Sequence, residues 1–357
     1  MQTAIINFVG RNGRFYPLYT MKGYNKLTAA ILPLGASIQK IVACDEDGKE
    51  IPLTLGFPEP EPYQSVTCYA GAALGPNAGR IRDGRLSLSD GEYALTPNDG
   101  ANQLHGGPHS LSSQLWEVKD FSCDGGAASI LLCTAQPHGL DGWPGNRSYQ
   151  IRYTLTDEGR FSIEYEARTD RPTYFNLSNH TYWDLTGQFG GSALSPKRTV
   201  HAGRVCLNNA QHLPEALIPV NGTAFDFREA CSLDTAIRSA HGPVIREQLA
   251  MAQGFNHAYL LDGGPGLKLA CSLSDPASGR RLELLTDAPG VVLYSGGFLP
   301  NGLTLNGSRR CVPSCAVALE AQDLPDCSRL YPASFRPTLP GETWRRVIQY
   351  RLHLPRA

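Results

Sequence analysis

The feature that most constrains this chain is how often it turns. Short runs of alternating apolar and polar residues are cut by Asp-Gly, Asn-Asp and Gly-rich pairs. These residues supply the positive φ angles that tight hairpin turns require. The clearest case is Arg147–Leu155 followed by Arg160–Ala167 across Asp157–Gly159. In the second run Phe161, Ile163 and Tyr165 alternate with Ser162, Glu164 and Glu166, the period of a half-buried strand. The same texture begins at Leu27, with a bend at Gly35, a turn over Asp45–Glu50 and a strand from Ile51. Arg85–Leu88, Tyr93–Leu95, Ser129–Thr134, Leu267–Leu273, Arg280–Leu285, Val291–Tyr294, Ala316–Ala321 and Trp344–Leu352 read as further strands. Helical material is confined to Ala230–Ala252, where Gly242-Pro243 interrupts it. With 37 Gly, 26 Pro and a charged fraction of 18%, the pattern predicts an all-β sandwich. No repeat of fixed period points to a propeller, and no linker divides the chain, so one domain over residues 1–357 is expected.

Charge narrows the function. Lys and Arg number 32 against 33 Asp and Glu, a net charge of −1, which offers no electrostatic grip on nucleic acid or an anionic membrane. No apolar run is long enough to span a bilayer, and the N-terminus lacks a basic segment followed by a long apolar core, so a cytoplasmic protein is expected. The ten cysteines are scattered and read as reduced thiols. Cys311, Cys315 and Cys327 come nearest to a metal cluster, but their spacing is not that of paired zinc ligands, and no metal is expected.

Four places carry side chains with chemical potential. Thr173–Leu185 sets His180 among Asn176, Ser178 and Asn179, whose short side chains can fix an imidazole tautomer. In the same stretch Trp183 either stacks on a ligand or fills the core. Gly75–Ile81 is glycine-rich without the lysine of a phosphate loop; its Arg80 is either a surface arginine or a multi-donor grip for oxygens. Asn98–Gly107 places His105 before two glycines, as a turn residue or as one that a ligand can approach. The fourth is Glu320, in the apolar run Val317–Ala321. If Val317 and Leu319 face one side, Glu320 faces the other with Ala318, toward solvent or into a cavity. No nucleophile elbow, dinucleotide fingerprint or H-E-x-x-H motif is present. What remains is a histidine, a carboxylate, a second histidine and an arginine, a set suited to proton transfer on a polar ligand without a cofactor.

In this order and at these positions the motifs resemble the aldose 1-epimerase (galactose mutarotase) family. The resemblance rests on GPNAGRI with Arg80, NDGANQLHGG with His105, SNHTYWDL with His180, Val220–Arg228, Gly254–Leu261, Leu293–Leu299 and Ala318–Asp326. It implies a large twisted β-sandwich, a supersandwich with little helix, and an enzyme that interconverts the α and β anomers of a free hexose such as galactose or glucose. By the same resemblance Glu320 is the general base on the anomeric hydroxyl and His180 the general acid on the ring oxygen. Arg80, His105, Asn256 and Trp183 then contact the sugar. The only partner implied is the small-molecule sugar, with no cofactor, and the protein is expected as a monomer or homodimer. One position departs: where the family usually has Gly-[Phe/Tyr]-Asp-His, this chain has Gly254-Phe255-Asn256-His257. Asn256 is the one feature that favours a non-catalytic sugar-binding protein on the same fold. A glycoside-cleaving enzyme would need a second carboxylate opposite Glu320, for which Asp184 is the candidate.

Overall fold

The structure is a computed structural model that describes residues 1–355 except 12, 25, 66–67 and 190–192. Three antiparallel sheets dominate the described residues. The first has five strands in sequence order, Gln2–Val9, Phe15–Lys22, Leu27–Leu32, Ser37–Cys44 and Glu50–Pro52. The second has nine strands and contains the hairpin read from the sequence, now Arg147–Thr156 against Arg160–Thr169 with Arg147 opposite Thr169. Its chain closes with Trp344–His353 laid beside Arg160–Thr169. The third has six strands, in the order Tyr182–Trp183, Val317–Gln322, Gly290–Tyr294, Asn256–Leu260, Arg204–Asn208 and Pro214–Pro219.

Period-two alternation sorts the side chains of the six-stranded sheet onto two faces. Val317, Leu319, Val291, Leu293 and Tyr259 join the large core shared with Ile163, Tyr350 and Leu284 of the nine-stranded sheet. Ala318, Val292, Ala258, Tyr294 and Tyr182 face the other way, into a second cluster closed over by loop residues such as Leu55, Phe57 and Leu299. The protein is therefore an all-β sandwich whose six-stranded sheet is covered on both faces. The outer cover leaves room for a site.

The helix expected over Ala230–Ala252 forms in two pieces, but helix is not confined there: single turns at Pro62–Ser65 and Cys327–Leu330 lie outside it. Leu233–Ser239 is capped by the Ser232 side chain, which accepts from the Thr235 N–H, and Pro243 opens the helix Pro243–Met251 at a position where its missing N–H costs nothing. The N-terminal hairpin Gln2–Val9 and Phe15–Lys22 lies ahead of the first strand expected from the sequence. Both strands carry β-formers such as Ile5, Ile6, Phe15 and Tyr16, but the first is exposed at nearly every position and Pro17 interrupts the second, so the alternation of a half-buried strand is blurred.

Candidate active site

The stretch Thr173–Leu185 changes partners midway, and His180 sits at the change. Its first half is stitched to Ala72–Ala78: Asn176 donates to Pro76 O, Ser178 and Asn179 pair with Leu74 and Ala73, and His180 N–H reaches Ala72 O. Its second half joins the six-stranded sheet, Tyr182 opposite Ala318 and Trp183 opposite Val317. Around the bend, Asn179 Nδ2 donates to Gly71 O and Thr181 Oγ1 donates to Asn179 Oδ1. The imidazole that results is buried, 4.7 Å from the Tyr182 ring and stacked at 6.2 Å on Tyr69.

Glu320 approaches from the neighbouring strand. It lies opposite Val292, which lies opposite Ala258, so the carboxyl stands at the end of an apolar row on the sheet's outer face. Only 4% of the residue is exposed, and Oε1 is 3.6 Å from His180 Nε2. Burial pushes the Glu320 carboxyl up to about 8, against a lowering pull from Arg80. Burial pushes the His180 imidazole down to about 4. Both shifts favour the uncharged form. Between those values the pair holds one proton, and burial favours it on Glu320, where the sequence reading had assigned it to His180.

Arg80 and His105 are tied together by a short ladder. Arg80 pairs with Leu104, His105 N–H donates to Gly79 O, and Gly79 N–H returns to His105 Nδ1 at 3.1 Å. These two bonds hold His105 at a φ of 52°, a left-handed conformation that costs an ordinary residue about 1 kcal/mol or more. Gly106 follows because a Cβ there would lie 2.1 Å from Gly75 O. Arg80 donates through Nε to Asp99 Oδ2 at 2.7 Å, which leaves the rest of its guanidinium directed at the cavity.

These groups meet around one cavity of about 330 Å³, at the small end of ligand sites. Arg80, His105, His180, Asn256 and Glu320 all line it. Trp183 does not. It is fully buried on the inner face with its ring 4.8 Å from Tyr350, and its neighbour Tyr182 takes the cavity side. Adjacent residues of one strand point to opposite faces, so a stretch that presents Tyr182 to the cavity sends Trp183 into the core. Asp184 is likewise spent elsewhere: its carboxylate accepts from the backbone of Thr186, Gln188 and Phe189, so it does not stand opposite Glu320 as a glycosidase would need.

The sequence reading missed several lining residues: Tyr69, Asp99, Asn208, His212 and Gln322. A signal existed for Gln322, since it shares a strand face with Glu320, and for Asp99, which lies in the same motif as His105.

The ligand atoms of His105, His180 and Glu320 lie within 4.8 Å of one another, the donor types of a His₂Glu zinc site. The bond from Gly79 argues against that use. An Nδ1 that accepts an N–H puts the neutral ring's proton on Nε2 and leaves no lone pair for a metal. Burial, with His180 and Arg80 nearby, holds His105 in that neutral form. His105 is thus a fixed Nε2–H donor.

A family model described as aldose 1-epimerase matches residues 17–351 of the chain. The chain belongs to the aldose 1-epimerase family. It is 29% identical over 345 residues to the aldose 1-epimerase of Escherichia coli (strain K12), covering 95% of this chain and 96% of that one. It is 31% identical over 332 residues to the galactose mutarotase of Mus musculus, covering 92% and 91%. Among solved structures, the galactose 1-epimerase from Lactobacillus acidophilus NCFM superposes with a TM-score of 0.84 at 27% identity, covering all of both chains. The family's fold accords with the all-β sandwich described above.

Proposed function

We propose that this protein is an aldose 1-epimerase, interconverting the α and β anomers of a free hexose with Glu320 and His180 as its proton-transfer pair. The observation that carries the reading is the 3.6 Å approach of two buried groups with opposite pKa shifts, at the edge of a small cavity also lined by Arg80 and His105.

The chemistry needs one group to take a proton and one to give it. Carboxylate Glu320 takes the proton from the anomeric O1–H. The C1–O5 bond breaks, its electrons pass to O5, and imidazolium His180 protonates that oxygen. The products are the open aldehyde, a neutral imidazole and a protonated carboxyl. That last protonation state is the one burial favours for the pair. Rotation about C1–C2 between the two steps presents the other face of the carbonyl. Arg80 and the Nε2–H of His105 supply donors for O5 and the ring hydroxyls as charge shifts between them. Asn256 also lines the cavity and offers both donors and an acceptor to hydroxyls.

The remaining finer readings follow the same support. The whole chain acts as one unit, residues 1–357, since one hydrophobic cluster runs from Met21 to Leu352. We place the protein in the cytoplasm because all ten cysteines are unpaired. Among the described residues no helix is long and apolar enough to cross a membrane.

Polarimetry on freshly dissolved α-D-galactose and α-D-glucose tests the function. Glu320→Gln and His180→Asn should each lower kcat by ~10²–10⁴-fold. No acceleration by the wild-type protein on any aldose, or full activity in both variants, would remove the reading.

A further inference from the structure

Gln322 is buried, 1% exposed, and lines the same cavity as Glu320. Among the described residues it is the only one whose side chain has both polar atoms, Nε2 and Oε1, buried without a hydrogen-bond partner. A buried primary amide left unpaired at both ends is costly, and native proteins rarely keep one without a use.

Its surroundings explain why the protein itself supplies nothing. Across the strand pair stands Gly290, which has no side chain to offer. On its other flank are Gly79 and Pro325; a Cβ on Gly79 would come within 3.1 Å of Gln322 Nε2. The backbone groups of Gly79 are already committed, N–H to His105 Nδ1 and C=O to His105 N–H and Asn77 Nδ2. The local fold therefore holds a donor and an acceptor side by side at the cavity wall and surrounds them with groups that cannot answer.

We propose that Gln322 is a specificity-determining residue whose amide hydrogen-bonds a ring hydroxyl at C3 or C4 of the sugar. A hydroxyl is the ligand group that donates and accepts at once, which is what the amide lacks. The location on the ring follows from the strand. Gln322 lies two residues beyond Glu320 on the same face, ~7 Å along the chain direction. With Glu320 at O1, that spacing passes the C2 hydroxyl, which neighbours O1, and falls farther round the ring, on the Gly79 side of the cavity. The contact is made in ground state and transition state alike, so it acts on KM more than on kcat.

This inference rests on the mutarotase reading, and the experiment separates the two. Initial mutarotation rates are measured for D-galactose and its 3-deoxy and 4-deoxy analogues with wild type, Gln322→Met and Gln322→Leu, each checked for folding by circular dichroism. Wild type should lose ~10-fold in kcat/KM on one of the two deoxy sugars. Both variants should lose a similar factor on galactose, chiefly through KM, and show no further loss on that deoxy sugar. Because the ratio of parent to deoxy sugar is read within each folded protein, a change in stability does not enter it. Wild-type kcat/KM on galactose in both variants, or the same deoxy penalties in all three proteins, would overturn the proposal while leaving the mutarotase reading intact. An inactive wild type would overturn both.

Discussion

At Asn256 the chain carries an amide where its family resemblance predicts a carboxylate. The residue lines the cavity, and its backbone is fixed at both polar atoms. Its N–H donates to His257 Nδ1 and its C=O accepts from Asn208 Nδ2, so the side chain is presented by a rigid frame. Changing Asn to Asp alters charge without altering shape. Hydrogen bonds to a carboxylate are stronger than those to a neutral amide by about 1 kcal/mol. Asn256→Asp should therefore lower the KM for hexoses by ~5-fold at neutral pH with kcat little changed, read from progress curves at several sugar concentrations. An unchanged or higher KM would mean the cavity is tuned to a sugar that offers this position an acceptor.

At the scale of the element, strand alternation decides which residue of a motif faces the cavity. Trp183→Phe should leave the KM unchanged, since the ring it alters packs on Tyr350 in the core. Trp183→Ala should cost ~3–5 kcal/mol of stability by opening a core cavity, measured by denaturant unfolding. A raised KM for the folded Phe variant would contradict the assignment. The same alternation shows how far the sequence could be read. Glu320 was placed opposite to Val317 and Leu319 by period two alone, and both of those residues are in the main core. That Glu320 looks into a cavity, not into water, was not legible, because loops distant in sequence close that face. Trp183 was drawn to the site by its proximity to His180 in the chain; the register that turns it inward is set by Val317, over 130 residues away. The clamp between Gly79 and His105 was also hidden, since neither a φ of 52° nor a backbone N–H aimed at an imidazole leaves a mark in composition. Asn176 shows the same limit. Its buried amide donates to Asn77 Oδ1 and Ala78 O and accepts from the Asp323 N–H, so it joins the segment before Arg80 to the segment after Gln322. In the sequence it is only one of several short polar residues.

At the scale of the whole molecule, the sandwich buries a carboxyl and an imidazole, 140 residues apart in sequence, with Glu320 Oε1 3.6 Å from His180 Nε2. Burial moves their pKa values in opposite directions, Glu320 up to about 8 and His180 down to about 4. Below the lower value the pair holds two protons and no base remains. Above the higher value it holds none and no acid remains. In between it holds one, whichever group carries it, so the limits belong to the pair as a unit. The pH dependence of kcat/KM for galactose mutarotation, with the spontaneous rate subtracted at each pH, tests this account most directly. The account predicts a bell: a plateau through pH 5–7, with one limb falling as pH drops through about 4 and the other as pH rises through about 8. A profile that stays flat through both limits, or that keeps its shape in Glu320→Gln, would contradict it.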